Sequence, residues 1–136
     1  MNANELRVGN LANTSEMSGY NYQICRQGII RTINNDSCNI TPIKYSSPVV
    51  TVKFKNIEPI PLTEEWLLKF GFERFENEYY HSYKEVEICV QFYPFSVGLC
   101  RRNDWAFLDR YEHIQYVHQL QNLYFALTGN ELELKP

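Results

Sequence analysis

Four cysteines and three histidines are the residues here most able to hold a metal or attack a substrate: Cys25, Cys38, Cys89, Cys100, His81, His113 and His118. Zinc sites are usually built from close ligand pairs such as CxxC. Here the closest cysteines, Cys89 and Cys100, are separated by ten residues, and His81 lies eight before Cys89. That spacing predicts neither a metal nor a cofactor. In a tight hairpin centred on Pro94-Phe95 the two cysteines would face each other across strands, as small buried hydrophobes. Cys100 with His113 or His118 would make a nucleophile and a base. A reactive thiolate needs an electropositive, partly exposed setting, however, and every cysteine sits in an apolar or strand context. Carboxylates occur in pairs. Glu64-Glu65 reads as helix capping, and Glu85 with Glu87 as the solvated face of a strand. No GxSxG, HExxH, GxxxxGK[ST] or GxGxxG is present. The chain reads as non-enzymatic.

Two binding chemistries are visible. Arg101 and Arg102 precede Trp105 and Tyr111, the interleaving of cations and aromatics from which stacking platforms for single-stranded nucleic acid are built. Lys53, Lys55 and Arg31 would extend such a patch. Against it stand a formal net charge of -3 and the lack of a dense basic stripe. The second chemistry is uncharged. Nothing from Ile114 to Gly129 carries a formal charge, and Gln115, Gln119 and Asn122 stack beside Phe125 and Ala126. Amides are cheaper to desolvate than charges and can pair across a seam. This strip is the candidate surface for self-association or for an unknown protein partner, with the N-terminal part of the chain as the alternative cover.

A helix must carry that strip. From Glu112 to Gly129, Tyr116, Val117, Leu120, Leu123, Tyr124 and Leu127 fall on one arc, and Gly129 supplies the stop. Ile114 and Phe125 project on a second apolar edge, near His118 and Gln121, so the helix is expected to be covered on more than one side. Earlier in the chain, ELRVGN over Asn4–Asn10 reads as an opening strand and LANTSEMSG as a loop. YNYQICRQGIIRTI reads as two short strands, or one bent at a bulge on Gly28. VVTVKF has strong β character. These suggest a small antiparallel β-rich part, an SH3-like barrel or meander, over residues 1–58. The prolines of IEPIPL form a stiff connector. Residues 59–136 then read as a helix capped by Thr63, with Trp66, Leu67 and Phe70 buried and Gly71 ending it, followed by an antiparallel meander and the long helix. Meander turns are expected at Glu76-Asn77, Lys84-Glu85 and Pro94-Phe95. DWAFL leads into the helix, and ELELKP adds a strand or frays. The class is α+β, as two subdomains or one compact domain.

Hydrophobic content of 44% across 136 residues supports a folded core. No apolar leader and no run of about 20 apolar residues is visible. A cytoplasmic setting with reduced thiols and no membrane is therefore expected.

ELRVGN, IEPIPLTEEWLLKFGFE and YVHQLQNLYFALTGNELE resemble a group of small uncharacterised proteins of gut anaerobic bacteria and their temperate phages. The resemblance covers a little under a third of the chain. It implies a mobile-element setting and carries over no activity and no site residues. The resulting expectation is a protein-interaction or accessory module. The alternative is a single-stranded nucleic-acid binder using Arg101, Arg102 and Trp105.

Overall fold

The structure is a computed structural model and describes residues 3–14, 27–43, 49–93, 95–101 and 104–136. It is β-rich and broadly α+β. The first antiparallel sheet contains β1 (Leu11–Thr14), β2 (Gln27–Ile33), β3 (Ser37–Pro42), β4 (Val50–Lys53) and β5 (Ile57–Glu58), in the order β4-β3-β2-β1-β5. β4 and β5 lie at opposite edges, yet only the 3₁₀ turn Phe54–Asn56 joins them. So short a link spans the sheet only if the sheet curls into a half-barrel. Alternation fills its inside: Cys38, Ile40 and Pro42 of β3 are buried while their neighbours are half-exposed. Leu6, Ala12, Ile30, Val52 and Ile57 complete this core.

The expected strand over Asn4–Asn10 is absent. Ala3–Glu5 form a 3₁₀ turn, Gly9 takes φ 96°, and β1 falls in the LANT segment that reads as loop. The Asn10 side chain causes the turn by accepting from Arg7 N at 2.7 Å. β1 then pairs with β2 on one side and β5 on the other, and this pairing overrides the weak strand propensity of Asn13 and of a turn-rich neighbourhood. The bulge also moves. Gly28 is regularly paired with Ala12 and Pro42, and the register shifts between Ile30 and Thr32 instead. Glycine at 28 permits close approach, since a Cβ there would run into the Ile40 side chain.

The connector docks rather than merely spacing. Ile60 and Leu62 are buried, Val117 N donates to Ile60 O at 2.9 Å and Leu62 N donates to Gln115 O at 3.0 Å. Helix α1 (Glu64–Lys69) follows, with Thr63 Oγ1 accepting from Trp66 N at 3.4 Å. The second sheet contains β6 (Glu73–Phe75), β7 (Glu78–Tyr83), β8 (Val86–Phe92), β9 (Phe95–Arg101) and β10 (Asp104–Arg110), in the order β10-β9-β8-β7-β6. DWAFL is thus part of an edge strand. Phe92 pairs with Phe95, so Phe95 belongs to β9 and not to the expected turn at Pro94-Phe95, and Pro94 lies outside the described residues. Cys89 therefore sits opposite Gly98, and Cys100 opposite Glu87.

Helix α2 spans only Val117–Thr128, twelve residues, and does not begin near Glu112. The connector is the reason: it holds Tyr116 extended (φ −124°, ψ 154°) through a bridge to Pro61. Ile114, at 1% exposure, is consequently buried from a non-helical segment. Val117, Leu120 and Tyr124 pack into the main core with Trp66, Leu67 and Phe70. Leu123 is half-buried and Leu127 is 36% exposed, so the apolar arc is covered only over its first turns. The tail is held: Leu132 is buried in the same core and Lys135 N donates to Lys69 O at 2.7 Å. Leu11 of β1 also belongs to this core. Among the described residues no helix is long and apolar enough to cross a membrane.

Candidate functional site

The second side of α2 is polar and buried, and the N-terminal segment covers it. Gln121, 2% exposed, accepts from Leu11 N at 2.8 Å and donates through Nε2 to Gly9 O at 3.2 Å. Asn122 Oδ1 accepts from Asn10 Nδ2 at 2.9 Å and from Arg7 Nε at 3.3 Å, while its Nδ2 donates to Glu5 O at 3.2 Å. Arg7 lies over the Phe125 ring at 4.1 Å and forms an ion pair with Glu131, Nη2 to Oε2 being 2.9 Å. One amide row on the helix thus satisfies backbone groups that a turn and a strand end leave open.

The candidate strip is divided among three settings. Asn122 belongs to this internal seam. Gln119 is a cap: its Oε1 accepts from Gln115 N at 2.8 Å and Tyr116 N at 3.1 Å, serving donors that the start of a helix leaves unsatisfied. Gln115, Phe125 and Ala126 are exposed, with Phe125 at 38%.

Beside the seam, at the first turn of α2, lies a cleft of about 290 Å³ lined by Asn4, Glu5, Tyr111, His113, Ile114, His118, Gln119, Asn122 and Leu123. His118 is 1% exposed, and neither ring nitrogen has a hydrogen-bond partner among the described residues. Its ring stacks on Tyr116, with centroids 6.0 Å apart and planes at 15°. Burial holds the imidazole below its usual pKa, with the Glu5 carboxylate pulling weakly the other way. His118 is therefore neutral, with one donor and one acceptor nitrogen. Tyr111 and His113 meet edge-on at 6.3 Å. Burial and the neighbouring Asp109 push the Tyr111 hydroxyl up, so it stays protonated.

The remaining candidates separate. Cys38, Cys89 and Cys100 are buried cysteines in no disulfide among the described residues, and Cys25 lies outside them. Burial pushes Cys38 up to about 11 and Cys89 up to about 12, the opposite of nucleophile activation. Among the described residues no three His, Cys, Asp or Glu could hold a metal ion. Glu64 accepts from Tyr79 OH at 2.7 Å, Glu65 pairs with Lys69 at 2.6 Å, and Glu87 accepts from Ser82 Oγ at 3.0 Å. Arg101 is exposed at the end of β9. Arg102 and the Trp105 side chain lie outside the described residues.

Spacing rules overlooked Arg7, Asn10 and Glu5, and pointed to His113 and His118 only as bases for Cys100, because these residues meet only when the N-terminus folds onto α2. Histidine between Val117 and Leu120, inside an uncharged helix, was the one local signal. Compared with protein-family models, with curated proteins and with solved structures, the chain matches none of them.

Proposed function

We propose that this is a non-enzymatic accessory protein that acts by binding another protein chain through the exposed end of α2, in the mobile-element setting that the resemblance implies. One observation carries the reading. Phe125, Ala126 and Leu127 are all exposed, on a helix whose whole length lacks formal charge. An exposed helical turn ordinarily carries Lys or Glu, and an exposed phenylalanine with an arginine stacked on it, as Arg7 lies on Phe125, combines the two residue types in which interface centres are enriched. Ala126 lets a partner backbone approach closely. The first sheet is read as an SH3-like half-barrel because β4 and β5, at its opposite edges, are joined by a 3₁₀ turn. That fold hosts many functions, so the binding assignment rests on α2 alone.

The test is Ala126→Glu in the full chain. Because Ala126 is exposed, the variant should keep its melting temperature while losing self-association in sedimentation or capture of a host protein in a pull-down. Unchanged association with either partner class would remove α2 from the interface and overturn the proposal.

A further inference from the structure

The C-terminal tail, residues 130–136, joins neither sheet and is tied down at scattered points. Asn130 Nδ2 donates to Tyr83 OH at 3.4 Å, Leu132 is buried in the main core, and Lys135 N donates to Lys69 O at 2.7 Å. The Lys135 side chain lies against Gly71, where an added Cβ would stand 2.1 Å from its Cε. The tail therefore crosses from β7 to the last residue of α1. A segment with so few backbone bonds opens at a lower free energy than the sheets beside it. His81 of β7 stands next to this crossing. Its ring meets Phe72 at 5.0 Å and 56°, and Tyr124 at 5.2 Å and 80°. Both rings belong to the core that takes Leu132. The Nδ1 of His81 is buried, with no hydrogen-bond partner among the described residues. A neutral imidazole tolerates this, because Nδ1 can stay a bare lone pair. An imidazolium would bury an N–H donor and a charge with no acceptor at that atom.

We propose that His81 is a proton-sensitive latch for the tail: the neutral ring lets residues 130–136 close over Gly71, and the protonated ring favours their release while both sheets and α2 stay folded. The charges around the ring give the direction. Burial holds the imidazole below its ordinary pKa and Lys135 adds to that shift, while Glu73 and the Ser82 backbone oppose it. Lys135 is on the part that can leave, and Glu73 is on β6, which remains. Lifting the tail thus removes the like charge and wets the ring, yet keeps the attraction to Glu73. The tail's other charge near this site, Glu133, acts on the Tyr124 hydroxyl, which burial keeps protonated. Because the docked-state pKa of His81 lies below 6.5, docking is fully favoured above 6.5 and weakens as pH falls toward that lower value.

The experiment is amide hydrogen exchange on the full chain from about pH 7.5 to about pH 5, corrected for the intrinsic effect of pH on exchange. Protection at Lys135 should fall by up to about tenfold per pH unit below 6.5. Protection at Leu120, whose amide bonds to Tyr116 O inside the core, should fall much less. The loss at Lys135 should level off where ring NMR shows His81 itself titrating, a comparison that needs no variant. His81→Phe keeps a ring between Phe72 and Tyr124 without a proton site, so protection at Lys135 should then stay flat with pH. Four results would each overturn the proposal: protection at Lys135 that is flat in the unmodified chain, a loss in step with Leu120, a loss that continues below the His81 titration, or a loss as large in His81→Phe.

Discussion

Two polar regions lie side by side on α2, and they differ in what they leave undone. In the seam, Asn10, Gln121 and Asn122 are matched donor to acceptor with each other and with the backbone of residues 5, 7, 9 and 11. One turn away, His118 is as deeply buried and its ring nitrogens have no hydrogen-bond partner among the described residues. Burial alone therefore does not say whether a polar group ties two elements together. Its partners do: a closed network fixes the N-terminus on the helix, whereas an unpaired imidazole adds no tie.

Breaking the seam should have the largest effect. Gln121→Ala strands Leu11 N and Gly9 O in a buried seam, and Asn10→Ala removes both the turn lock and the link to Asn122. Each should destabilise by about 1–3 kcal/mol in chemical denaturation. The two together should be less than additive, because they share one network. Full additivity would show that the seam is merely a set of separate contacts.

The cleft should respond with the opposite sign. His118→Leu removes an unpaired imidazole and leaves an apolar group of similar size, so at neutral pH stability should hold or rise by up to about 1 kcal/mol. The same variant sharpens the pH dependence. Burial lowers the folded-state pKa of His118, and of His81 likewise, below the ordinary 6.5. The unfolded chain therefore binds the proton more readily than the folded one. Stability is fully present above 6.5 and declines as pH falls from there toward the folded-state values, by at most about 1.4 kcal/mol per pH unit for each histidine. A pH series of denaturation midpoints should show this acid slope, and His118→Leu should make it shallower. A slope untouched by that substitution would mean that the imidazole is already solvated or paired.

The smallest effect belongs to Gln119. On the sequence alone, a carboxylate here would be a charge placed on a covered strip. In the structure its oxygen caps two backbone donors at the start of the helix. Gln119→Glu keeps the acceptor and adds a charge that the helix dipole favours, so it should stabilise by roughly 0.3–1 kcal/mol. A loss of several kcal/mol would restore the view of an internal seam extending over Gln119.

Legibility followed the range of the interactions. The α1 cap at Thr63, the glycine stops at Gly71 and Gly129, and the turns at Glu76-Asn77 and Lys84-Glu85 depend on neighbours a few residues away. These could be read from the sequence. So could the burial of Leu120, Trp66 and Phe70, which follows from a local period. The sequence reads Phe95 as part of a turn because strands on either side of it alternate equally well, and only its pairing with Phe92 puts it in β9. The opening strand was placed in ELRVGN because its alternation is stronger than that of LANT, where the pairing occurs.

What the sequence determined by itself was therefore the inventory: which segments carry helical or strand period, which residues cap and stop them, and that α2 is uncharged. Tertiary structure decided how those pieces were used. The connector holds Tyr116 extended and so shortens α2, β1 is stabilised between β2 and β5, and the N-terminus reaches α2 over more than a hundred residues of separation. Hydrogen bonds of that range leave no periodic trace, since either partner alone is an ordinary polar residue, and only the folded chain shows that Gln121 is satisfied by Leu11 and Gly9.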